Sequence, residues 1–243
     1  MPTPQPNEGV TLRRDYTSLA ADYDRDRFLG PKGTFLYRTD RQIVRDLVLA
    51  SKASVVLDVP SGTGRVLEYL AGMPLRVVGA DLTRAMLKNA LRKAVGEPRL
   101  LLQTDAARLP FGCAIFDCVI TLRFFHLFSP ATRMEFVREF SRVLKPGGYL
   151  ICSFTNGWYA FGLNWLRKCL GWPTTSFLFP GELRRLFPGW EVCALRGNYW
   201  PFQWRVASKS HALEKLLIWL NGKPPLNRVC WERFYLLRKP HEV

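Results

Sequence analysis

The sequence predicts an α/β fold with a mostly parallel sheet, and three observations predict it. Apolar runs that close on an acidic residue recur through the first half of the chain, at 55–58, 77–81 and 100–105. Their separations leave room for one crossover helix between consecutive runs, as parallel pairing requires. The first run breaks at once into the small-residue turn Pro60-Ser61-Gly62-Thr63-Gly64. In open α/β sheets ligands sit beyond the carboxyl ends of the strands, and glycines there let the backbone approach a nucleoside-bearing ligand without Cβ clashes.

Residues 55–59 read as the first strand, the turn after them as a ligand loop, and Arg65 as the start of a helix. Residues 77–82 read as the second strand. Its Asp81 falls about 20 residues beyond the Gly turn, where an acidic side chain is placed to bind ribose hydroxyls. The third run ends in Asp105-Ala106-Ala107, and the fourth, 116–121, is followed by Leu122-Arg123-Phe124-Phe125-His126. Phe136, Val137, Phe140, Val143 and Leu144 recur at helical spacing over 133–144. Lys145-Pro146-Gly147-Gly148 is expected to end that helix before a strand over 149–154. Residues 190–195 and 231–238 read as the last two strands, with 199–227 as an insertion carrying a short amphipathic helix near 213–220. The acids also have local readings: Asp58 caps the following helix, Asp81 is a strand-end turn residue, and Asp105 is an N-cap for Ala106 and Ala107. Gly62-Thr63-Gly64 lacks the third glycine of a dinucleotide fingerprint.

Taken in order, these motifs resemble the class I S-adenosylmethionine-dependent methyltransferases, and within them the small-molecule branch of ubiquinone and menaquinone type. The resemblance covers residues 15–155. It rests on Asp58 to Gly64, on Asp81, on Asp105-Ala106 followed by Leu109-Pro110-Phe111, on Phe116-Asp117-Cys118-Val119, and on Leu144-Lys145-Pro146-Gly147-Gly148. It implies a Rossmann-like fold: a seven-stranded, mostly parallel sheet with helices on both faces and a Trp-rich C-terminal elaboration. It also implies S-adenosyl-L-methionine as cofactor, with Gly62 and Gly64 under the methionine and ribose and Asp58 at the amino group or its water shell. Asp81 would hold both ribose hydroxyls as a charge-assisted acceptor. Asp105 would accept from the adenine amino group, with Leu82, Met86 and Ala106 against the ring; Pro60, Ser61 and Leu122 complete the cofactor-binding set. Pro60 stands where the family usually has glycine, which removes one N–H donor and fixes φ. The N-terminal helical segment resembles the family's lid, with Tyr23 and Arg38 closing over the cofactor.

Methyl transfer asks mainly for alignment of the reactants. A base is needed where the acceptor loses a proton, and His126, just past the fourth strand, has the pKa class to deprotonate a phenol or enol near neutrality. Its other reading is a cap or packing residue. Arg123 is expected to orient an acceptor oxygen or to bind the cofactor carboxylate.

The domain reading is a disordered tail over 1–14, a helical lid over 15–50, a cofactor-binding core over 51–155, and a substrate-capping segment with the last strands over 156–243. The Pro-rich opening has no apolar core of a signal peptide. The six cysteines include no C-x-x-C pair. Cys118 and Cys152 fall in predicted buried strands, which favours free thiols in a reducing cytoplasm over disulfides or a metal site. No formal charge occurs between Lys145 and Arg167. Pro146-Gly147-Gly148 and Asn156-Gly157 break that run into a strand and a helix carrying Trp158, Phe161, Trp165 and Cys169, rather than a membrane span. All eight tryptophans fall after residue 157, among basic side chains.

With a net charge of +15 and a pI of about 9.9, this tail suits peripheral contact with an anionic membrane, a helical cap over the sheet, or a solvated basic face. Nucleic acid is the other partner a basic surface attracts. Against it, Thr121-Leu122-Arg123-Phe124 stands where base-amine methylating enzymes carry an Asn/Asp/Ser-Pro-Pro-aromatic tetrad, and no Pro-Cys nucleophile occurs. The expectation is a cytoplasmic, peripherally membrane-associated enzyme that methylates a quinone, phenolic or lipid-like small molecule. The alternatives are a fold relative using the same cofactor for a non-methyl transfer on a quinone, and a non-catalytic cofactor-fold binding subunit.

Overall fold

The computed structural model describes residues 17, 20, 22–28, 30–93, 100–157, 165, 169, 180–199, 203–207, 209–224 and 226–241. Seven strands form one sheet in the order β3-β2-β1-β4-β5-β7-β6. They are β1 (Val55–Asp58), β2 (Arg76–Asp81), β3 (Leu100–Gln103), β4 (Phe116–Thr121), β5 (Leu144–Thr155), β6 (Glu191–Gly197) and β7 (Glu232–Arg238). The first five pair in parallel, and β7 enters antiparallel between β5 and β6. The helices are α1 (Tyr23–Phe28), α2 (Gly30–Ser51), α3 (Arg65–Tyr69), α4 (Arg84–Lys93), α5 (Pro130–Val143), α6 (Pro180–Leu186), α7 (Gln203–Ala207), α8 (His211–Asn221) and α9 (Leu226–Val229). The doubly wound class I methyltransferase arrangement expected from the sequence is the one observed.

Side chains alternate across each strand, so neighbouring residues feed opposite faces. Leu57, Val119, Leu150, Cys152, Tyr235 and Leu237 pack with Phe136, Val137, Phe140 and Val143 of α5. Val56, Cys118, Ile120, Ile151, Phe234 and Leu236 pack with Ile43, Val44, Leu47 and Val48 of α2 and with Val66, Tyr69 and Leu70 around α3. Covering both faces is why the central strands read as continuous apolar runs. All six cysteines are free thiols, and Cys118 and Cys152 are fully buried.

Two boundaries and the setting of one helix differ from the sequence reading. Helix α5 begins at Pro130 rather than at residue 133, because the Ser129 side chain accepts from Thr132 N–H and Pro130 takes the first helical position. Strand β5 starts directly at Leu144, and Lys145-Pro146-Gly147-Gly148 runs within it. That stretch is absorbed by a register irregularity opposite Phe116–Cys118 and by a positive φ of 70° at Gly147. Within the span read as a lid, α2 is a core layer. The four aliphatic side chains it presses on the sheet are each worth roughly 1.5–3 kcal/mol, so that helix is fixed to the sheet. The 1–14 tail and most of the helix read around Trp158 to Cys169 lie outside the described residues, as do Tyr16, Trp158, Trp172 and Trp200.

Candidate active site

Strands β1 and β2 end side by side, with Asp58 opposite Gly79, and the small-residue turn bridges them. Val59 N–H donates to Ile120 O at 2.9 Å, and Ser61 N–H donates to Ala80 O at 2.8 Å. The turn is thus pinned on both sides of Pro60, whose peptide with Val59 is cis. Asp81 knits it together: Oδ2 accepts Gly62 N–H and Oδ1 accepts Thr83 N–H, both at 2.8 Å. Burial raises the Asp81 carboxyl pKa, and those two N–H donors oppose the rise. Each carboxylate oxygen still has a second lone pair for a ligand hydroxyl.

Asp58 is 1% exposed, and its Oδ2 has no hydrogen-bond partner. Burial first, then the Asp81 charge, pushes its carboxyl well above the usual carboxylate range, with Arg65 pulling the other way. Ser61 Oγ is also buried without a partner. Gly62 sits at φ 53° with open space where a Cβ would be. Two orphaned polar atoms beside an open glycine suit a ligand with an ammonium group and hydroxyls, so the residues present fit S-adenosylmethionine. Gly64 has a different reason to be glycine. At φ 79°, its Cβ would lie 2.8 Å from the Cβ of Ala90, so it admits α4 rather than forming open wall.

The other expected cofactor contacts are spread along the same edge. Leu82 is 38% exposed although apolar, while Met86 and Ala106 are buried. Leu122 is half-buried against the α2 side of the sheet. Asp105 Oδ1 accepts Ala107 N–H at 3.0 Å, the capping geometry its local reading anticipated. Tyr23 lies half-buried on α1. Its neighbour Asp24, to which the sequence assigns no role of its own, accepts from Thr63 Oγ1 at 2.7 Å and pairs with Lys93 at 2.5 Å. Together with Arg65 stacked 3.8 Å over Phe28, this seats α1 on the Gly-rich turn. Arg38 does not join that group: its Nη1 donates to Glu214 Oε2 of α8 at 2.8 Å.

The turn after β4 leaves the sheet next to β1, with Ile120 opposite Asp58. Phe125 is buried and stacked on Phe154, while Phe124 packs on Phe128 and Phe136. Arg133 Nε donates to Phe125 O at 2.8 Å. These contacts hold the 3-10 turn Phe125–Leu127 and leave His126 half-exposed on it.

Arg123 departs most from expectation. Its backbone is left-handed at φ 53°, an uncommon region for a side chain with a Cβ. Its guanidinium is committed to protein carboxylates: Nε and Nη2 donate to Glu232 Oε2 at 2.9 and 2.7 Å, and Nη2 donates to Asp40 Oδ2 at 2.6 Å. Asn198 joins through Glu232 at 3.1 Å, and Arg123 N–H donates to Ser153 Oγ. Although burial opposes its charge, the two acids raise the Arg123 pKa well above normal. Glu232 is raised chiefly by burial, which Arg123 partly offsets and Asp40 reinforces. A guanidinium so engaged ties α2, β6 and β7 to the turn that carries His126.

The fold is of the class I methyltransferase type. Residues 57–152 match the protein-family model described as a methyltransferase domain. The chain is 33% identical over 155 residues to the ubiquinone/menaquinone biosynthesis C-methyltransferase of Pseudomonas paraeruginosa, across 61% of this chain and 59% of that one. It is 32% identical over 149 residues to the demethylmenaquinone methyltransferase of Mycolicibacterium vanbaalenii, across 61% and 58%. The chain therefore spans less than two thirds of the length of these curated relatives. Among solved structures, magnesium protoporphyrin IX methyltransferase from Synechocystis PCC 6803, solved with bound SAH, superposes with a TM-score of 0.66 at 17% identity over 92% of this chain and 95% of that one. Residues 57–152 match a methyltransferase-domain model, and the sequence similarity extends to methyltransferases of ubiquinone and menaquinone biosynthesis.

Proposed function

We propose that the chain is an S-adenosylmethionine-dependent methyltransferase acting on a hydrophobic small molecule, with quinone, phenolic or lipid-like acceptors foremost. The observation that carries this reading is the Asp81 bridge between Gly62 and Thr83, set beside the orphaned Asp58 oxygen at the ends of adjacent strands. The names of the relatives support the quinone class. When bound, S-adenosylmethionine supplies an electrophilic methyl group. The chain's own residues would do the rest. Asp81 accepts from the ribose hydroxyls, the orphaned Asp58 oxygen accepts from the ammonium group, and Asp105 meets the adenine amino group. Leu82 offers an apolar face, and α1 shields the turn from water. His126 takes the acceptor's proton, while Arg123 acts through the turn it braces, its Nη1 left without a protein partner.

Calorimetric titration with S-adenosylmethionine, followed by mass spectrometry after incubation with a quinone and phenol panel, tests the reading. Binding with release of S-adenosylhomocysteine is the expected outcome; binding without any cofactor product would leave a binding subunit instead. His126→Ala should lower turnover by about 100-fold or more with cofactor affinity unchanged, and full turnover in that variant would remove His126 from the reaction.

A further inference from the structure

From residue 156 to 230 the chain carries ten Lys and Arg residues against three acids, Glu182, Glu191 and Glu214. The acid on α8, Glu214, is buried and held by Arg38, so it presents no negative charge to solvent there. The inner side of α8 is anchored: Asn221 Nδ2 donates to Asn198 O and to Gln203 Oε1. Its outer side carries Lys215, Leu216 and Trp219, with Leu216 49% and Trp219 58% exposed. Lys223 follows, its Nζ 4.9 Å over the Trp219 ring. Helices α7 and α9 pack against α8 and repeat the pairing of an exposed aliphatic with a cation. Val206 is 43% exposed beside Arg205, and Val229 is 54% exposed beside Arg228.

Single exposed apolar residues are ordinary. Here four of them alternate with cations on three neighbouring short helices, with no exposed acid on α8 to balance the charge. Exposed aliphatic side chains gain nothing from a phosphate backbone. At a bilayer they reach the acyl boundary, while Lys and Arg extend their heads to lipid phosphates. No described helix is long and apolar enough to cross a membrane, so the fit is to a surface.

We infer that the outer face of α8, flanked by α7 and α9, docks on an anionic membrane surface. The face connects to the site's edge through Asn221 and Asn198, which reaches Glu232 and hence the Arg123 turn. Delivery of an apolar acceptor by that route rests on the proposed function; the docking does not.

Flotation of the full chain, without cofactor or acceptor, on vesicles of phosphatidylglycerol with phosphatidylcholine and on phosphatidylcholine alone tests the inference. The protein should float with the anionic vesicles, be released by high salt, and stay at the bottom with the neutral ones. Leu216→Ser with Trp219→Ser should weaken that partition about tenfold, and Lys215→Glu with Lys223→Glu should abolish the anionic preference. Both double variants should keep the parent circular dichroism spectrum. Failure to float with either vesicle would overturn docking, as would anionic binding indifferent to Leu216 and Trp219. Duplex DNA binding of equal strength that ignores the two apolar substitutions would also overturn it, in favour of nucleic acid. A chain that floats yet releases no cofactor product sinks the methyl-transfer reading alone.

Discussion

Asp81 closes the Gly-rich turn on β2 through Gly62 and Thr83, and its remaining lone pairs are the ones proposed to take the ribose hydroxyls. Replacing it with Ala removes a charge-assisted acceptor, so cofactor binding should weaken by about 1.5–3 kcal/mol in a calorimetric titration. Affinity equal to the parent would refute the ribose assignment. Asp81→Asn keeps one carbonyl acceptor but loses the charge, and should fall between the two. Asp58 is the complementary case. Its buried oxygen lacks a partner, so the unliganded fold carries a desolvated group that only a ligand satisfies. Asp58→Asn should therefore raise the thermal stability of the free protein while weakening the cofactor. That opposition separates a ligand contact from a mere helix cap, whose loss would lower stability.

At the scale of elements, the Arg123 cluster joins pieces that are far apart in sequence: Asp40 on α2, Glu232 opening β7, and Asn198 just beyond β6. Removing the cation leaves two carboxylates at 0% and 3% exposure uncompensated, so Arg123→Met should destabilise the fold by about 3–5 kcal/mol. Denaturant unfolding measures this directly. A loss under about 1 kcal/mol would place the pairs with ordinary surface salt bridges. The two acids were legible in principle. Asp40 lies on the stripe that includes Ile43, Val44 and Leu47, and Glu232 shares the strand face of Phe234 and Leu236. Each is a charge on a buried face, and each therefore needs a partner. What periodicity cannot supply is the partner's identity, because Arg123 meets them only once the chain has closed over 83 and 109 residues. The strands and Asp81 were legible because local chemistry dictates them: apolar runs, small-residue turns and strand-end acids. The α5 start was missed although its Ser129-Pro130 signal is local, since the apolar periodicity begins later. Arg38 pairs with Glu214, 176 residues away, a partner that no local pattern points to.

Over the whole molecule, buried carboxyls gather at the carboxyl end of the sheet. Asp58, Asp81 and Glu232 all have raised pKa values, burial leading in each. A second set points the other way: Lys145 and the amides of Val55 and Ser54 lower Asp117 against the pull of burial, and Arg142 lowers Glu139. Sign follows from proton linkage. An acid raised in the folded state binds more protons there than in the unfolded chain, so stability falls as pH climbs from the unfolded value of about 4 through the folded one. An acid lowered in the folded state contributes stability above about 4 that is lost as pH falls through its folded value. The two sets together predict that the unliganded protein is most stable at mildly acidic pH, between the loss of the lowered set's contribution below about 4 and the loss of the raised set's above it, and melts at lower temperature as the medium approaches neutrality. A ligand that gives Asp58 an ammonium partner and Asp81 hydroxyl donors stabilises their ionised forms, so saturating S-adenosylmethionine should raise the melting temperature more near pH ~8 than near pH ~5. Asp58→Asn should flatten the unliganded decline without ligand. Differential scanning calorimetry across this range decides the matter: a melting temperature that climbs steadily toward neutral pH in the free protein would mean these carboxyls ionise in the folded state as readily as in the unfolded chain.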